Sequence, residues 1–151
     1  MKKWICLILA LSLALSMAAC SGETANVDVA AVYESYAAYL PEMFCPDADT
    51  MINFLGISTE DCKQYQIAIC AEGMRADEVW LIEARDQTSL DKLRQLAQTR
   101  IEAKLDETVS YAPDQYAVVE KAELLTQGLY LALLISPDVG ELKAGFQAAF
   151  K

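Results

Sequence analysis

The chain has 151 residues, 54% of them hydrophobic, with 22 acidic residues against 12 basic ones and no histidine, for a net charge of −10. That length fits one domain and is short for two, and the apolar content excludes a disordered chain. A surface this negative repels phosphate backbones and anionic headgroups, so the sequence predicts no nucleic-acid partner.

The first element is a segment of three parts, "MKKWICLILALSLALSMAAC". Lys2 and Lys3 are a positive start, Trp4 to Leu15 an uncharged apolar run, and Ser16 to Ala19 mostly small residues suited to cleavage. The apolar run is shorter than the roughly 20 residues of a stable membrane span. Residues 1–19 therefore read as a signal peptide. Met17-Ala18-Ala19-Cys20 resembles the lipobox of bacterial lipoproteins, in which a peptidase cuts before the cysteine and a diacylglycerol is joined to its sulfur. Leucine is more usual at the Met17 position. The resemblance implies lipidation of Cys20 and a membrane partner through that lipid, with the protein facing outside the cytoplasm. Acyl chains contribute about 0.8 kcal/mol per buried CH₂, and two of them anchor stably where one is marginal. Without Lys2 and Lys3, ten of the 12 basic residues remain against 22 acidic ones, so the processed chain is more acidic still.

Residues 20–27 form a polar tether, and a single α+β domain is expected over 28–151. Val29, Val32, Tyr33, Tyr36 and Leu40 recur at helical spacing, and Pro41 ends the pattern, which predicts a helix from Asp28 to Leu40. "DTMINFL" can make one or two helical turns before Gly56, and Ser58 with Asp61 reads as a cap for a short helix. "QYQIAICAEG" alternates and predicts a strand. "ADEVWLIEAR" predicts a second, with Val79, Leu81 and Glu83 opposing Trp80, Ile82 and Ala84, and a short hairpin loop between the two. The long helix is "TSLDKLRQLAQTRIEAKLDETVSY", with Leu90, Leu93, Ala97, Ile101 and Leu105 on one face and Thr88 or Ser89 as its cap. Two more strands follow in "ELLT" and "LYLALLI", turning at Gly128, the second apolar on both faces and so covered on both. Ser136 and Pro137 open a last helix whose apolar face is Leu142, Phe146, Ala149 and Phe150.

This order predicts an α+β fold, a mainly antiparallel four-stranded sheet packed with helices. The lipobox, "VDVAAVYESYAAYLPEM", "FLGISTEDCKQY" and "YAPDQYAVVEKAELLTQGLYLALLIS" together resemble the small lipoproteins of anaerobic Gram-positive bacteria grouped as domain of unknown function 4358. The resemblance covers essentially the whole processed chain, with "VYE", "LGIS" and "YAPDQYAVVE" its most specific pieces. Cys45, Cys62 and Cys70 depart from it. It implies compartment and fold, and no catalytic or binding residue.

Chemistry is sparse. The absence of histidine excludes Ser-His-Asp and Cys-His machinery and imidazole-based zinc sites. Ser89-x-x-Lys92 matches the nucleophile motif of penicillin-recognising enzymes, but their "SDN" and "KTG" motifs are missing and the chain is far shorter. Helix cap and solvated lysine is the plainer reading. Cys45, Cys62 and Cys70 permit a disulfide outside the cytoplasm; Cys62–Cys70 and Cys45–Cys62 are both conceivable, and spacing leaves the pairing open. Asp47 and Asp49 lack the glycine and further ligands of a calcium loop. Trp80, Tyr111, Tyr116 and Tyr130 could line a pocket, although packing explains them as well. The sequence thus predicts a lipid-anchored extracytoplasmic module that binds an envelope protein or a small ligand, not an enzyme, with no cofactor and no metal. Two alternatives stand beside it: a structural or accessory subunit of an envelope complex and, remotely, a serine hydrolase using Ser89 and Lys92.

Overall fold

The computed structural model describes residues 26–151. The signal segment, Cys20 and most of the tether lie outside the described residues.

Helix α1 (Val29–Glu34) opens the domain, capped by Asp28, whose carboxylate accepts the Ala30 and Ala31 N–H groups. It ends earlier than its apolar spacing predicts. From Tyr36 onward the backbone bonds run to the third residue back (Tyr36 N–H to Tyr33 O, 2.9 Å), a tighter winding. The cause is tertiary: the Tyr36 hydroxyl donates to Leu142 O at 2.8 Å, and its ring is fully buried. Strand β1 (Met43–Phe44) comes next, then α2 (Ala48–Thr50), continued by a wide π turn over Met51–Leu55. The helix expected at Ser58 is a single 3-10 turn, Thr59–Asp61, with Ser58 Oγ accepting from Glu60 N. Strands β2 (Cys62–Cys70) and β3 (Glu78–Ala84) form the expected hairpin.

Helix α3 (Gln87–Tyr111) is capped two residues before Thr88 and three before Ser89, the expected caps: Asp86 accepts the Ser89 N–H at 2.8 Å. Helix α4 (Pro113–Val119), which periodicity did not separate from its surroundings, follows with Pro113 in its first turn. Strands β4 (Glu123–Gln127) and β5 (Tyr130–Ile135) turn at Gly128, which adopts φ 57°. Helix α5 (Val139–Ala148) closes the domain, starting two residues after Pro137.

The sheet has five strands, in order β1-β2-β3-β5-β4, and every neighbouring pair is antiparallel. The fifth is β1, two residues added against the end of β2; a pair that short carries no alternation for a sequence to show. Strands β3 and β5 lie at the centre, and all six residues of β5 are buried. The sheet's two faces are covered by different layers. Trp80, Ile82, Leu131, Leu133 and Ile135 pack with Met51, Leu55, Leu90, Leu93 and Ala97 on the α3 side. Val79, Leu81, Ala132 and Leu134 pack with Val29, Val32, Tyr36, Leu142 and Phe146 on the α1 and α5 side. The chain enters on this second side: Tyr130 Oη accepts the Val27 N–H at 3.1 Å, and Gln64 bonds both Val27 and Val29.

Candidate functional site

The apolar stripe of α3 runs through Leu90, Leu93 and Ala97 and then becomes charged at Arg100 and Lys104, still facing the sheet. Opposite them stands Glu78, the first residue of β3, whose side chain has no solvent exposure. Arg100 grips it in a fork: Nε lies 3.0 and 3.1 Å from the two carboxylate oxygens and Nη2 2.8 Å from Oε2. Lys104 Nζ is 3.1 Å from the same Oε2 and also donates to Ala76 O at 3.0 Å. Trp80 Nε1 donates to Oε1 at 2.8 Å. A carboxylate removed from water needs this many donors, since an unpaired buried charge is strongly unfavourable. The guanidinium of Arg100 lies 4.9 Å above the ring of Phe54, which is 60% exposed.

Beside this cluster the β2–β3 loop meets the end of α3. Ala76 N–H donates to Gln115 Oε1 of α4 at 2.9 Å, and Arg75 forks onto the buried Asp77 at 3.0 and 3.3 Å. Asp77 in turn holds the Arg75 guanidinium in its charged form. A small recess of about 90 Å³ opens here, lined by Met74, Arg75, Lys104, Glu107 and Tyr111. Met74 is 72% and Tyr111 82% exposed, so two large apolar side chains flank a patch with both signs of charge. The two cations at the recess are already engaged, Arg75 by Asp77 and Lys104 by Glu78 and Ala76 O, so what the patch presents outward is chiefly the apolar surface of Met74 and Tyr111. Sequence reasoning missed Glu78, Arg100 and Lys104. Their one signal was the pair of basic residues, four apart, continuing an apolar helix stripe.

The residues that sequence reasoning did single out are scattered. Ser89 is buried in the first turn of α3, and Lys92 is half exposed with Nζ 2.6 Å from Asp61 Oδ2. That is a solvated ion pair, unlike the desolvated, unpaired amine that takes a serine proton. Cys45, Cys62 and Cys70 are all free thiols. Cys62 and Cys70 end the same nine-residue strand, roughly 26 Å apart at 3.3 Å per residue, far beyond disulfide reach. Cys45 follows Phe44, which pairs with Ile69 near the far end of β2, so Cys62 is out of its reach too. Burial pushes the Cys62 thiol up to about 11.

Asp47 caps α2 by accepting the Thr50 N–H at 2.8 Å, and hydrogen bonding from the Thr50 side chain, then from its backbone, holds the Asp47 carboxyl below the usual range. Among the described residues no group of three potential ligands is placed to hold a metal. Trp80 and Tyr130 lie on opposite faces of the sheet, Tyr111 is exposed and Tyr116 half-buried, so the four aromatics share no pocket.

No curated protein and no solved structure matches this chain. A family model does match, over residues 36–136, taking in the whole sheet, α3, α4 and the Glu78 cluster, and leaving out α1 and α5. The matched segment is well over half of the 151 residues, and the chain belongs to the family described as Domain of unknown function (DUF4358).

Proposed function

We propose that the protein is a lipid-anchored, extracytoplasmic binding module of the cell envelope, tethered at Cys20 and meeting its partner with the α3 side. The reading is supported chiefly by where the chain enters the domain. Val27 is tied to the α1 side of the sheet, and it stands only seven Cα-to-Cα steps from Cys20. At no more than about 3.6 Å per residue the tether reaches roughly 25 Å. The α1 side is thus held toward the lipid, and the α3 side, with Phe54, Met74, Tyr111 and the recess between Arg75 and Lys104, is turned away from it. Exposed aromatic and methionine side chains beside paired charges are the composition of a protein-binding surface.

Two measurements test this in intact cells. Wild-type protein sediments with membranes and is removed by external protease, whereas Cys20→Ala protein leaves the membrane fraction. Photo-crosslinking residues placed at Met74 and Tyr111 capture a partner that one placed at Gln147, exposed on α5 on the opposite side, does not. Retention of Cys20→Ala on the membrane overturns the anchor, and equal capture from all three positions overturns the binding side.

A further inference from the structure

The two edges of the sheet are not alike. At one edge, β2 is shielded by β1 and by the entering chain, with Gln64 bonded to Val27 and Val29 and Gln66 to Cys45. The other edge is β4, and its guards are few: its one charge, Glu123, is paired with Lys143 of α5 at 2.8 Å. It has no proline and no lysine, its register against β5 is unbroken, and Leu124 and Leu125 are half exposed on opposite faces. The two-residue loop after Gln127 makes Gln127, Leu125 and Glu123 the residues that bond β5. The N–H and C=O groups of Leu124 and Thr126 then point outward, and among the described residues they meet no backbone partner.

We infer that β4 pairs with β4 of a second copy, giving a two-fold dimer with one continuous ten-stranded antiparallel sheet. The register that uses the whole strand is self-complementary. With the axis at Leu125, Leu124 and the partner's Thr126 exchange N–H···O bonds in both directions, four bonds in all. Leu125 meets its own copy, and Glu123 meets the partner's Gln127, so no like charges face each other. The α3 side adds a second match. An open groove of about 430 Å³ runs between β4 and α3, lined by Asp91, Arg94, Gln95, Gln98 and Leu124. Arg94 is exposed and, among the described residues, has no carboxylate within 4.0 Å, although most other basic side chains of the domain are engaged. The two-fold carries each Arg94 toward the partner's Asp91, forming two equivalent ion pairs across the seam. Because the axis stands perpendicular to the sheet, both α1 sides face the same way.

The test uses the full-length protein. Oxidation of membranes with copper–phenanthroline should link Leu125→Cys protein into a disulfide dimer, since residues facing across a non-hydrogen-bonded pair have Cα atoms about 4.5 Å apart. Wild-type protein, with its three native thiols, and Gln127→Cys protein should not link. In sedimentation of the detergent-solubilised protein, Arg94→Asp should raise the dimer dissociation constant about tenfold, and adding Asp91→Arg should restore it. Both positions are exposed, so unchanged circular dichroism separates this from misfolding. A monomer at every concentration, crosslinking at Gln127 equal to that at Leu125, or capture of a different protein by Leu125→Cys overturns the inference.

Discussion

Glu78 has no water to solvate it, and its charge is balanced by Arg100, Lys104 and the Trp80 N–H. Glu78→Gln leaves two cations facing a neutral amide, and breaking a buried pair in this way costs about 3–5 kcal/mol. Urea unfolding should show a loss of that size. Lys63→Ala, which removes the outer half of an exposed pair with Glu83, should change stability by less than about 1 kcal/mol. None of this was legible in "ADEVWLIEAR", where Glu78 reads as the polar start of a strand; a partner 22 residues away leaves no local trace. The thiols give a second prediction. Cys62 is raised to about 11 from an ordinary 9.0, mainly by burial, so the folded state holds its proton more tightly than the unfolded chain. Stability is unaffected by this group below pH 9 and falls as pH rises from about 9 to 11. Burial of Tyr36 raises its hydroxyl in the same sense and adds to the loss above about pH 10. Denaturation midpoints at pH 7.5 and 10.5 check the sign, and a thiol reagent at neutral pH should label exposed Cys45 well before Cys62.

At the scale of elements, α5 meets the tight turn that follows α1 through Gly145. A Cβ there would lie 2.8 Å from Cε1 of Tyr36, whose hydroxyl is fixed on Leu142 O. Gly145→Ala therefore sets a helix-propensity gain of about 1 kcal/mol against overpacking of about 1–3 kcal/mol, and a net loss is expected. Gly140, on the same helix, has open space around its Cβ position, so Gly140→Ala should stabilise by about 0.5–1 kcal/mol. Thermal melts of the two variants should move in opposite directions. Elements with strong periodicity were readable: β3, β5 and α3 appear where the alternation and the apolar stripe put them. Those set by a distant contact were not. The far half of the first helix yields to the Tyr36–Leu142 bond, and β1 exists only because the end of β2 offers it a partner.

For the whole molecule, the sheet with its two covering layers is complete within the described residues, and Val27 is the first to be bonded into it. Residues 26–151 expressed alone should fold and unfold in one cooperative transition, with the same midpoint by near- and far-ultraviolet circular dichroism. The α+β class and antiparallel pairing were legible because strands covered on one or both faces leave distinct patterns; the charged cluster and the lightly guarded edge depend on which elements become neighbours. One such adjacency bears on timing. The central ladder joins residues 78–83 to 130–135, with α3, α4 and β4 between them in the chain. Non-local pairing of this kind is slow, and it waits for nearly the last strand to be synthesised. A chain exported as proposed has to be threaded through a membrane pore before it folds. Placing its middle ladder across so long a stretch keeps the nascent polypeptide threadable until almost all of it has been made.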